Sequence, residues 1–220
     1  MQEDSLFILT QHPSIANQFL TELRTKGIQE DRLRFRRNLE RIGEVLAYEL
    51  SKTFSYHEQK VETPLETTNV LAISHSPVLI SILRAGLPLH QGLLNYFDQA
   101  DNGFVGAFRD QEDDSEEFDI ALKYFAVPDI NDKNVLLIDP MLASGKTLVN
   151  VCGQLLNNGT PRHLHIVSAI ASPEGISYLR EKIDAPFSLW LGGLDDHLNS
   201  HSYIVPGLGD AGDLAFGPKI

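Results

Sequence analysis

Apolar positions along the chain fall into two kinds of run, one at helical spacing and one short and continuous. In residues 14–26, Ile15, Phe19, Leu20 and Leu23 recur at helical spacing, and the pattern stops at Gly27. Residues 31–52 repeat it more strongly. Leu33, Leu39, Ile42, Leu46 and Leu50 define the stripe, and Phe35, Val45 and Tyr48 widen it. Residues 56–61 carry a weak edge-strand pattern, followed by loop. Residues 70–73 and 78–83 are short apolar runs, and the second reads as a strand buried on both faces. Residues 87–97 return to helical spacing. Residues 104–110 and 118–127 have strand character and flank the acidic run 111–117, which predicts a projecting β-hairpin with a solvated tip. A buried strand over 135–139 precedes a helix whose apolar face is Leu148, Val151, Cys152, Leu155 and Leu156, ending at Asn158 and Gly159. Then come a buried strand (165–171), a helix (173–182) and a strand (187–191). This alternation predicts an α/β fold with a central parallel sheet flanked by helices and joined by right-handed crossovers. Residues 192–220 show little helical pattern. Pro206, Gly207, Gly209 and Gly212 make 203–213 a tight loop that exposes its backbone.

Composition narrows the function. The 220 residues are 42% hydrophobic and 22% charged, with no repeat or low-complexity linker, which fits one large soluble domain. A net charge of −12 argues against a nonspecific nucleic-acid or acidic-membrane binder, because those need a positive field. It leaves room for a small phosphorylated ligand. The one cysteine, Cys152, lies on an apolar helix face and reads as core. The apolar run Leu6, Phe7, Ile8, Leu9 is too short for a signal peptide, and no run approaches a membrane span, so a cytoplasmic location is expected. Arg32, Arg34, Arg36, Arg37 and Arg41 alternate with acids and read as a solvated or subunit-facing surface.

The candidate chemistry concentrates in residues 135–148. The apolar strand ends in Asp139. Pro140, Met141, Leu142, Ala143, Ser144, Gly145, Lys146 and Thr147 then form a short loop before the helix. Such a loop leaves backbone N–H groups open at a helix N-terminus, where the dipole favours an anion, so it suits a phosphate. The acid beside it can hold an attached sugar. Gly145, Lys146 and Thr147 also match the tail of a Walker A loop, but Pro140 stands where its first glycine belongs, which disfavours a nucleoside kinase. Arg84 closes the buried strand 78–83 and precedes Ala85 and Gly86, at the strand end where open α/β sheets bind ligands.

Several stretches together resemble the uracil phosphoribosyltransferase family of the type I phosphoribosyltransferase superfamily. They are residues 46–49, 81–87, 108–110, 139–147, 172–175 and 203–213, so the likeness runs from about His12 to the C-terminus. The last of them is the most specific, since other phosphoribosyltransferases share the sugar-phosphate loop but not this one. The resemblance implies a single type I domain over 1–220, with N-terminal helices (1–53), a β-hairpin arm (104–127) and a C-terminal uracil-binding hood (192–220). It implies transfer of a phosphoribosyl group from 5-phosphoribosyl 1-diphosphate to uracil, giving UMP and diphosphate in pyrimidine salvage. Residues 139–147 and Asp210 would bind the phosphoribosyl diphosphate, with Arg84 and Arg109 on its diphosphate. Arg84, Arg109 and Asp210 would be the catalytic residues. Tyr203, Ile204, Gly209, Asp210 and Ala211 would bind uracil, largely through backbone groups. Mg2+ would arrive with the diphosphate and touch the protein through water at Asp210, with no direct protein ligand. The resemblance also implies a homodimer or tetramer and makes GTP a candidate activator. A non-catalytic or RNA-binding regulator on the same fold is the alternative, and the −12 charge counts against it. Three positions depart from the family pattern: Lys146 for glycine, Leu214 for arginine and Pro218 for threonine or asparagine. A lysine at 146 would be strained if the loop required positive φ there.

Overall fold

The computed structural model describes residues 5–109 and 120–219. In chain order, the first elements are β1 (Ser5–Ile8), α1 (Ile15–Arg24), α2 (Arg32–Ser51), β2 (Tyr56–Glu62) and β3 (Thr67–Ile73). They are followed by β4 (Val78–Leu83), α3 (Leu87–Leu94), β5 (Asp101–Arg109), β6 (Ile120–Ala126) and β7 (Asn134–Ile138). Next come β8 (Met141–Leu142), α4 (Lys146–Asn158), β9 (His163–Ala171), α5 (Pro173–Lys182) and β10 (Phe187–Leu194). The chain closes with β11 (His197–Leu198), β12 (Ile204–Val205) and α6 (Ala211–Phe216).

The main sheet runs β1-β10-β9-β7-β4-β5-β6, with β8 added beside β9. All pairings in it are parallel except β5 with β6, so the predicted parallel sheet carries one antiparallel edge. Side chains alternate across the strands. Leu79, Leu136 and Ile138 face one layer, formed by α1, α2, α3 and α6 through residues such as Leu20, Leu39, Leu46, Leu89 and Ala211. Val78, Ile80, Val135 and Leu137 face the other, where α4 and α5 contribute Leu148, Val151, Cys152, Ile176 and Leu179. Covering both faces is why these strands read as continuous apolar runs. Cys152 is core as expected, and burial pushes its thiol up to about 12, which keeps it unreactive.

The structure adds local detail. The N-terminal apolar run forms β1, an edge strand pairing in parallel with β10. Residues 70–73 belong to β3, which pairs antiparallel with β2 in a separate two-stranded sheet. β5 and β6 pair antiparallel as the expected hairpin, and β5 continues to Arg109 beyond its last pairing with β4 at Gly106. The acidic run 111–117 and Asp110 lie outside the described residues. The arginines of α2 lie at the surface as expected, with Arg32, Arg34, Arg37 and Arg41 exposed, and Arg34, Arg36 and Arg41 also bind within the molecule. Arg34 forks onto Glu22 of α1 (2.7 and 2.8 Å), Arg36 donates to the Ala215 carbonyl (2.7 Å), and Arg41 lies over the Phe19 ring.

Candidate active site

The carboxyl ends of β4 and β7 open into a cleft of about 390 Å³ roofed by the segment after β11. Six helices surround it or lie behind it. α1, α2, α5 and α6 start with side-chain caps from Ser14, Asp31, Ser172 and Asp210. α3 and α4 start at Gly86 and Gly145 with no side-chain cap. At α3 the Gly86 and Leu87 amides bond the Ile82 and Arg84 carbonyls and Pro88 has no N–H, so the uncapped amides beside the opening are those of α4, where Thr147 lines the cleft and an anion can satisfy them.

The loop into α4 is held by what lies behind it. The Ala143 carbonyl accepts from Ser172 Oγ (2.8 Å), and the Leu142 carbonyl accepts from the Ser172 N–H (2.9 Å). The Pro140 carbonyl accepts from Ala169 and Ile170. Gly145 turns the chain with φ of 77°, a conformation a side chain would strain. The positive φ falls on Gly145 and not on Lys146, which starts α4 as an exposed helical residue. The substitution of glycine by lysine therefore costs no backbone strain.

Asp139 follows β7 at the floor of the cleft. Burial pushes its carboxyl up to about 7, while the Met141 N–H (3.4 Å) pulls the other way. Arg84 donates through Nη2 to the Gly217 carbonyl (3.0 Å) and faces Asp213 at 3.5 Å. Its Nε is buried and makes no hydrogen bond, a donor left for something in the cleft. Asp210 caps α6 through the Asp213 N–H (3.0 Å) and also lines the cleft.

Of the residues read from the sequence, Arg84, Asp139, Met141, Ala143, Thr147, Tyr203, Ile204, Gly209 and Asp210 line this one cleft. Pro140, Leu142, Ser144, Gly145, Lys146 and Ala211 are not part of its lining. Leu142 and Ala211 are packed in the two cores and support the loop and hood from within. Arg109 ends β5 opposite Ile120. His201, Ser202 and Lys219 line the cleft without having been singled out, and Gly212 of the 203–213 loop joins them. Lys219 is an isolated lysine near the end of the sequence, and no spacing marks it; only the fold brings it to the cleft. Leu214, in place of arginine, packs against the core beside Gly209.

The family model for uracil phosphoribosyltransferase matches residues 9–218. The uracil phosphoribosyltransferase of Porphyromonas gingivalis is 48% identical over 207 residues, covering 94% of this chain and 95% of that protein. That of Thermococcus gammatolerans is 39% identical over 221 residues, covering 99% and 92%. A solved structure of a protein from Aquifex aeolicus superposes with a TM-score of 0.85 at 29% identity, covering 98% of this chain and 99% of that one.

Proposed function

This chain belongs to the uracil phosphoribosyltransferase family, and from that premise we propose how its residues divide the reaction. The enzyme is a pentosyltransferase: uracil N1 takes the place of diphosphate at C1 of the sugar, giving UMP. The C1–O bond breaks, positive charge builds on the ring, the electron pair leaves with the diphosphate, and uracil releases its N1 proton as N1 bonds to C1. Stabilising the departing anion and holding the two substrates in line are the main tasks.

The amides of the Ala143–Thr147 loop and the α4 N-terminus hold the 5′-phosphate. Asp139 accepts hydrogen bonds from the ribose hydroxyls. Arg84 gives its unpaired Nε to the diphosphate, and Arg109 is proposed to join it there as the family resemblance implies. The hood presents backbone groups of Ile204 and Gly209 to the uracil edge. A base with the wrong donor pattern would leave buried groups unpaired, at about 1–3 kcal/mol each. Two carboxylates, Asp139 and Asp210, share the cleft with the diphosphate site, a hard-oxygen setting that fits Mg2+ carried by the substrate. Among the described residues no cluster of three or more His, Cys, Asp or Glu could hold a metal by itself. When bound, Mg2+ would neutralise charge on the diphosphate oxygens. The highly charged substrate is confined within cells, and we place the enzyme in the cytoplasm.

The observation that carries the reading is the meeting of Arg84, Asp139, Thr147, Ile204 and Gly209 in one cleft. Arg84→Met should lower turnover at least a hundredfold while melting like the parent, because losing one donor to a developing anion costs about that much. Turnover within a few fold of the parent would refute the role of Arg84.

We also propose a homodimer built through β2 and β3. A lone two-stranded hairpin is marginal in water, yet this one exposes Tyr56, Leu65, Val70 and Leu71. A second copy would cover them.

A further inference from the structure

The candidate base loop is gripped from behind by a buried ion pair outside the cleft lining. Arg24 ends α1, and Asp195 follows β10. Arg24 Nη1 and Nη2 meet the two carboxylate oxygens at 2.7 and 2.5 Å. The same groups reach one more residue: Asp195 Oδ2 accepts the Gly207 N–H (2.8 Å), and Arg24 Nη1 donates to the Gly207 carbonyl (3.0 Å). Both backbone groups of Gly207 are thus bound to the pair. Gly207 has φ of 65°, and a Cβ there would collide with the Ile204 carbonyl, so the turn runs tightly against Ile204. The Asp195 N–H donates to Ala171 at the end of β9 (2.9 Å), which ties the carboxylate to the main sheet. With its amide nitrogen facing the two carbonyls, Gln29 donates to Leu208 (3.0 Å) and Leu23 (2.8 Å), adding a second hold from the same helix pair.

The Asp195 side chain is 3% exposed and that of Arg24 27%. A pair this buried need not add net stability, since desolvation offsets attraction. Its forked geometry does fix orientation. We infer that Arg24 and Asp195 are positioning residues for base recognition. They lock Gly207, and through it the backbone groups of Ile204 and Gly209 that face the base. The inference rests on reading the hood as the uracil site.

The test compares Arg24→Lys and Asp195→Asn with Gly209→Ala, a change inside the loop itself. Arg24→Lys keeps the charge and loses the fork. In each of the first two variants KM for uracil should rise about tenfold, the factor of one charge-assisted hydrogen bond, and clearly more than KM for phosphoribosyl diphosphate. Discrimination against cytosine should fall in parallel. If Gly209→Ala raises KM for uracil and the Arg24 and Asp195 variants do not, the inference is overturned and the hood reading stands. If Gly209→Ala also leaves KM for uracil unmoved, the hood reading fails and the inference with it. Equal rises in both KM values, or unfolding of both positioning variants, would show a pair that holds the fold and not the loop.

Discussion

Asp139 stands midway between its protonation states near neutral pH, because burial raises its carboxyl from 3.8 to about 7. A raised carboxyl contributes stability that is complete below about pH 3.8 and is lost as pH rises through 7. Above pH 7 the free protein carries a destabilising carboxylate that a sugar diol would satisfy. Asp139→Asn should therefore raise the free protein's stability above pH 7 by about 1–2 kcal/mol in urea titration. That is less than the full shift implies, since cleft water reaches the group. Affinity of the parent for phosphoribosyl diphosphate should weaken as pH drops below 7, and the variant should lose that slope. A parent-like slope in the variant would assign the titration to another group. Lys146 makes a second prediction at this scale. It is exposed at the start of α4 and unstrained, so Lys146→Gly should change KM for phosphoribosyl diphosphate two- to fivefold, the about 0.5–1 kcal/mol of an exposed charge contact. KM for uracil should not move. Equal changes in both would show that the lysine is no phosphate contact.

β9 carries a buried imidazole, His165, beside the half-buried His163. His165 Nδ1 accepts from the indole of Trp190 (3.2 Å), and the His163 ring is 4.6 Å away, centroid to centroid. Burial, joined by the neighbouring His163, lowers His165 from 6.5 to about 3. The stability this represents is present above pH 6.5 and lost as pH falls toward 3. Trp190 is the sole tryptophan and reports the event directly. In an Asp139→Asn background, which removes the opposing titration, stability from Trp190 emission should drop by about 1–2 kcal/mol from pH 7 to pH 5. No change would mean that water or another partner serves the imidazolium. The elements themselves were unequally legible. β4, β7 and β9 were readable because covering both faces leaves a continuous apolar signature, and α2 was readable because its stripe is long. β1 has four residues and no turn signal, and β3 is exposed over most of its length and meets the core only through Ile73, so neither carries the full pattern that burial imposes, whereas β2 showed only the weak edge-strand pattern. The candidate site divides the same way. Its strand ends and loops were local in sequence. Lys219, and the pairing of Arg24 with Asp195 across 171 positions, exist only after folding.

The whole molecule has two surfaces with different demands. One is the cleft, where residues of the 139–147 loop meet those of 201–212. The other is the β2–β3 hairpin, where Tyr56, Leu65, Val70 and Leu71 stand exposed. Sedimentation at micromolar concentration should give a dimer for the parent and a monomer for Leu71→Asp. A monomeric parent would contradict the proposed interface. A net charge of −12 means that binding of diphosphate at the proposed site would depend on the few local donors, not on a general positive field. The central claim is that these donors and the hood form one catalytic cleft. Its most direct measurement is UMP formation from uracil, phosphoribosyl diphosphate and Mg2+. The account predicts UMP and diphosphate in equal amounts, with cytosine refused. Binding of both substrates without UMP would contradict it.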